Sequence, residues 1–200
     1  KFEGTFNADF QVSNFYFMKG IMGAVADAGT TPYTHTYTEA NTPPSITIQT
    51  SENLDTDSEI TYTGCLLDAF TMNMNVGEVI TGNLTGQYAK EVKDATLNTT
   101  GNSVDSESVF TFANASLEWP NATSRFLIQS FEMKVTNNSE MIYNLGTRLG
   151  SQRAFKQRVY EFKLNKIREA DTDILDKFYG STTTLANPGL PASTATLELT

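Results

Sequence analysis

From Ile60 to Lys90 the chain carries its clearest alternation of apolar and polar positions. Phe70, Met72, Met74 and Val76 alternate with Thr71, Asn73 and Asn75, the two-residue period of a strand with one buried face. Gly77-Glu78 breaks the run. A second run follows, with Ile80, Leu84 and Tyr88 on one side and Thr81, Asn83, Thr85 and Gln87 on the other; at Gly82 and Gly86 no side chain packs. The two runs predict a β-hairpin with one oily face and one uncharged polar face.

The same period recurs elsewhere. Phe126–Thr136 reads as a strand with Ile128, Ser130, Glu132, Lys134 and Thr136 on one face and Phe131, Met133 and Val135 on the other. Asn137-Asn138 supplies turn residues that tolerate positive φ, and Ser139–Leu145 is expected to return along the strand. Val159, Glu161 and Lys163 alternate with Tyr160, Phe162 and Leu164. Phe2–Phe17 alternates loosely and predicts one or two short strands before a Gly/Ala-rich turn through Ala24–Thr31. Pro43-Pro44 marks the entry to an edge or first strand position carrying Ile46 and Ile48. Val109–Trp119 is a further strand candidate, stopped by Pro120. Near Thr172–Tyr179 the period changes to that of a short helix, with Ile174, Leu175 and Phe178 on one face and Gly180 placed to end it. Ala195–Thr200 is a candidate terminal strand. The fold class predicted is all-β dominated (α+β), with antiparallel sandwich or barrel-forming sheets and one short helix. Residues 1–200 are expected to form one domain with a long polar loop, Glu91–Ser108, and a C-terminal arm, Ser181–Thr200.

The order of these signals resembles that of tail tube proteins of long-tailed phages and related tailed viruses. The residues that carry the resemblance are Tyr62, Gly64 and Cys65 at the start of the hairpin, Gly77 at its turn, and Thr81-Gly82 on its return strand. The segment Pro32–Tyr37 running into Ser45–Thr50 also fits the pattern, as does Gln129–Leu145 with Asn137-Asn138 and Leu145-Gly146. The resemblance implies a structural virion protein of the tail, assembled in the host cytoplasm as stacked six-fold rings. These form a tube through which DNA passes without specific binding, with the chain itself and other tail proteins as partners.

Composition agrees with such a role and leaves one alternative open. Ser and Thr together number 43 and Asn 16, while charged residues make up only 18%, so the solvated surfaces are built largely from uncharged polar groups. A carbohydrate-binding or adhesive β-sandwich would share that composition. The formal charge of −9 argues against a protein that grips nucleic acid, because phosphate neutralisation needs a surplus of Lys and Arg. Cys65 is the single cysteine, read as a small buried hydrophobe, and it excludes an intrachain disulfide. No segment approaches the roughly 20 apolar residues of a bilayer span, and the longest candidate, Phe15–Ala26, is interrupted by Lys19, Gly20 and Gly23. The chain opens on Lys1, which suggests a trimmed or processed start.

Catalytic chemistry finds little support. A single histidine, His35, supports neither a zinc site of His and Cys ligands nor a Ser-His-Asp array, and its setting reads as an exposed or edge-strand position. Phosphate-binding and dinucleotide-binding fingerprints are missing, as is a nucleophile elbow. Asp55, Asp57 and Glu59 alternate as calcium-loop ligands do, but without the Gly and terminal bidentate Glu, so they read as a solvated acidic loop. The sequons at Asn83, Asn98, Asn114, Asn121 and Asn137 only slightly exceed the roughly three expected by chance in so Asn-, Ser- and Thr-rich a chain. The expectation is a non-enzymatic protein without cofactor or metal.

Two sets of residues carry the assembly expectation. Thr71, Asn73, Asn75, Thr81, Asn83, Thr85 and Gln87 are expected to face a lumen. Glu52, Asp55, Asp57 and Glu59, and Arg148, Arg153, Lys156 and Arg158, form one acidic and one basic stretch expected to meet between subunits. The loop 91–108 and the arm 181–200 are expected to join one ring to the next.

Overall fold

The central element is longer than its hydrophobic period suggests. A computed structural model describes residues 4–30, 34–51, 59–94, 108–118, 128–146, 152–167 and 196–199. In it β5 runs unbroken from Glu59 to Asn75 and serves as the spine of two layers of pairing. Its upper part lies between β6 (Thr81–Tyr88) and β9 (Ile128–Thr136), all antiparallel. Beyond them stand β1 (Gly4–Gln11) next to β6 and β12 (Val159–Lys166) next to β9, giving the strand order β1-β6-β5-β9-β12. The lower part of β5 pairs instead with β4 (Ile46–Ser51) and β7 (Lys90–Asp94). Smaller two-stranded units complete the described fold: β2 (Gly23–Ala28) with β3 (Thr34–Glu39), β10 (Ser139–Ile142) with β11 (Gln152–Phe155), and β8 (Ala115–Glu118) with β13 (Thr196–Leu199).

The change of partners on β5 has a local cause. The register slips between Leu67 and Ala69, so Asp68 bulges out of the ladder. Its carbonyl accepts the Asn137 amide at 2.7 Å, and its carboxylate accepts the backbone and hydroxyl of Ser139 at 2.6 and 2.7 Å. These bonds catch the chain where β9 leaves the sheet. Gly64, at φ 66°, lies just below the bulge in a conformation that favours glycine.

One face of the five-stranded sheet forms the core along β1, β6, β5 and β9, while on β12 the same face, Tyr160, Phe162 and Leu164, stays exposed. Phe70, Met72 and Met74 of β5, Val135 of β9 and Ile80 are buried together with Val12, Ile21 and Leu67. The Phe70 ring lies 4.7 Å from that of Phe17, which Phe10 meets edge-on at 5.3 Å. Full burial of such a ring contributes on the order of 2–3 kcal/mol. Phe6 pairs with Gly86 and Phe10 with Gly82, so the two rings lie over the glycines of β6 and fill the space their missing side chains leave. A methyl at Gly86 would run into the Leu66 carbonyl and the Phe6 ring.

Several expectations change here. A helix that the sequence did not lead us to expect appears, α1 (Met18–Met22), a five-residue piece too short to persist by propensity and held by packing of Gly20 and Ile21 against the sheet. The Gly/Ala-rich stretch after it is strand β2 and not a turn, because Ala24–Ala28 finds a partner in Thr34–Thr38. Residues 91–94 belong to β7, so the polar stretch that follows is shorter than expected from the sequence. Val109–Trp119 is not one strand: Phe112–Asn114 forms a 3-10 turn before β8. Ser139–Ile142 does not return along β9, whose two sides are already taken by β5 and β12; it pairs with β11. The helix expected at 172–179, and residues 95–107 and 181–195 of the expected loop and arm, lie outside the described residues.

Candidate functional site

The opposite face of the five-stranded sheet is polar from edge to edge. Antiparallel pairing places Asp9, Asn83, Thr71, Lys134 and Glu161 in one row across the strands, and Gln11, Thr81, Asn73, Glu132 and Lys163 in the next. Asn75, Ser130 and Asn165 extend the face upward, and Thr85 and Gln87 extend it downward. The whole predicted set Thr71, Asn73, Asn75, Thr81, Asn83, Thr85 and Gln87 therefore shares this face, and each of its residues is partly or fully exposed. Two strands whose alternation the sequence shows, but whose place in this sheet it does not, widen it. In β1, Thr5, Asn7, Asp9 and Gln11 alternate with Phe6, Ala8 and Phe10, a period visible in the sequence but not assigned to the same sheet. In β12 the alternation was legible and its neighbour was not.

The face divides chemically. Its β5–β6 part carries no charge. There Asn83 Nδ2 donates to Asn7 Oδ1 and Asp9 Oδ1 at 2.5 and 2.6 Å, tying β6 to β1. The β9–β12 part is charged but paired. Lys163 Nζ donates to Glu132 Oε1 at 2.6 Å, and Lys134 Nζ lies 3.7 Å from Glu161 Oε2. Both pairs join directly opposed residues. The hydrogen bond and charge of Glu132 raise the Lys163 amine above its ordinary range. Within these two rows, three acids (Asp9, Glu132, Glu161) stand against two lysines (Lys134, Lys163), a net charge of −1, and Lys166 lies beyond them at the end of β12, past a register irregularity and opposite Ile128.

The residues expected between subunits are scattered. Glu52, Asp55, Asp57 and Arg148 lie outside the described residues. Glu59 opens β5 opposite Ser51 and Asp94, and Arg153 lies on β11 opposite Met141. Lys156 pairs with Glu140 at 2.9 Å, which raises the lysine and lowers the carboxyl; both side chains remain well exposed. Arg158 turns inward, with only 13% of its side chain exposed. Its Nε donates to Asn137 Oδ1 at 2.6 Å and its Nη2 to the Ile21 and Met22 carbonyls at 3.1 and 3.3 Å. Asn137, 2% exposed, donates in turn to the Ile21 and Leu67 carbonyls, both at 3.0 Å. This corner fastens the end of α1 to the sheet.

Cys65 is fully buried, its thiol donating to the Tyr62 carbonyl at 3.3 Å. His35 lies exposed on β3 beside Asp27, Nδ1 to Oδ1 2.7 Å, with Tyr16 edge-on to its ring. Among the described residues no three His, Cys, Asp or Glu side chains converge as metal ligands, and no helix is long and apolar enough to cross a membrane.

Comparison with known proteins adds one finding. A family model described as phage tail tube protein matches residues 1–200, the full length of the chain. No curated protein matches it.

Proposed function

The chain belongs to the phage tail tube protein family, a structural component of the virion tail, and from that premise we propose that six copies close into a ring whose polar sheet faces line a DNA conduit. The observation that carries the reading is the five-stranded sheet, with one face packed on the core over β1, β6, β5 and β9 and the other polar and almost neutral. At its two ends β1 and β12 each pair on one side among the described residues, and the other side extends the sheet into a neighbouring copy. Four lining strands per protomer give a backbone diameter of about 48 Å, and five give about 60 Å, for strands ~4.8 Å apart and tilted by about 40°. Side chains leave roughly 36 or 48 Å, and a duplex about 20 Å wide passes either bore. The family assignment favours this conduit over the adhesive sandwich. The protein acts by assembly and not by catalysis, and rings form in the host cytoplasm before joining the virion.

Complementary acidic and basic stretches, Glu52–Glu59 and Arg148–Lys156, fix neighbour and register in the ring. Residues 95–107 and 181–195 reach between rings, since closed rings leave no sheet edge along the tube axis. Negative-stain microscopy of the purified protein tests the reading: rings or tubes with an open bore support it, and isolated monomers at high concentration overturn it. Deleting Thr96–Asp105 is expected to leave folded protomers that no longer build long tubes.

A further inference from the structure

The polar face reaches near-neutrality in two different ways, and the second bears on how a conduit treats DNA. Along β5 and β6 the side chains are amides and hydroxyls. Along β9 and β12 two lysines in each protomer stand on the same face, where duplex phosphates would be their natural partners. Register places a glutamate opposite each of them: Glu132 faces Lys163, and Glu161 faces Lys134. Within these two rows the charges form a checkerboard, because β9 contributes Glu132 and Lys134 and β12 contributes Glu161 and Lys163. Opposite charges at 2.6 and 3.7 Å cancel at the distance of a phosphate, so the patch offers no net positive potential.

We propose that the crossed pairs Lys163–Glu132 and Lys134–Glu161 mask the lysines of this face, so that DNA slides past it without being held. This rests on the conduit reading above. The pairs contribute little to holding the fold, since both are solvated. Their value lies in removing the counterion release that a bare lysine gains from a phosphate. Charges on β12 also suit an edge strand that must not pair at random. That role asks only for charge, whereas masking asks for balanced charge, and substitution separates the two.

The test uses the double variant Glu132→Gln/Glu161→Gln, which leaves both lysines without carboxylates, and the quadruple variant that adds Lys134→Gln and Lys163→Gln. Binding of a short fluorescent duplex is followed by anisotropy at about 50 and 200 mM salt, with thermal melts as a check of folding. The double variant is expected to bind about tenfold more tightly than the wild type at the lower salt. Two exposed lysines give a salt slope near −1.8, which erases most of that gain at the higher salt. The quadruple variant should return to wild-type behaviour. A folded double variant that binds no better than the wild type overturns the proposal, as does a quadruple variant that binds like the double. Should the double variant fail to fold, Glu132→Gln and Glu161→Gln are compared singly, each exposing one lysine and each expected to gain a smaller, equally salt-sensitive affinity. Microscopy of the wild type reports on the conduit separately: absence of tubes removes that reading, while the duplex measurement still decides whether the pairs mask charge.

Discussion

Arg158 lies just before β12 and Lys163 within it, five positions apart, both basic and both paired, yet the structure spends them in opposite ways. Arg158 is drawn under the corner where β9 ends, donating to Asn137 and to two carbonyls of α1. Lys163 is 72% exposed and meets one carboxylate across the strand. A guanidinium suits the first place because its planar fork serves several acceptors at once, and an ammonium on a flexible stem suits the second. The contrast teaches that burial decides what a charge does here. At the corner a lost bond leaves polar groups dry and unpaired, while on the open face water replaces what is removed.

The largest effects are therefore expected at the corner. Asn137→Ala removes the donor to the Ile21 and Leu67 carbonyls and the acceptor of the Arg158 Nε, and should cost about 3 kcal/mol in a denaturant melt. Arg158→Ala leaves Asn137 Oδ1 without its cation and should cost about 2 kcal/mol. The two act on one network, so the double variant should cost clearly less than the sum of the singles, and additive costs would show that the corner is not a unit. Reversal of Arg158 tests the fold and not assembly. Arg153→Glu is the cleaner probe of the proposed ring interface, expected to block assembly while leaving the melting midpoint of the protomer unchanged.

The same contrast marks what could be read from residues alone. The polar face of β5 and β6 was legible because a two-residue period survives any partner choice, and so was the internal alternation of β9 and β12. Which strands are neighbours was not legible. Lys163 and Glu132 are far apart in sequence, and only the β9–β12 register sets them face to face. The Asn137 corner was hidden for a related reason. Asn137-Asn138 has the composition of a hairpin turn, and Asn138 does take a positive φ of 49°, but β9 already has β5 and β12 on either side, so the chain turns away. Helix α1 was missed because its signal is tertiary: five residues are too few to show a helical period, and the packing of Gly20 against Leu67 holds them.

The smallest expected effect belongs to Lys163, and its pH dependence tells which part of the side chain matters. Glu132 raises the Lys163 amine above its ordinary value of 10.5, through the hydrogen bond first and the charge second. A basic group whose folded pKa exceeds the unfolded one contributes stability that is fully present below the unfolded value. That contribution fades as pH rises through the folded value. Lys163→Gln should therefore melt only slightly below the wild type at neutral pH, with the gap constant up to about pH 10 and closing above it. Scanning calorimetry of both proteins at a series of alkaline pH values gives the comparison directly. A gap that stays open above the folded pKa would mean that the aliphatic stem packing on β12 carries the effect and the ion pair does not. A gap as wide as that of Arg158→Ala would break the distinction between the open face and the buried corner altogether.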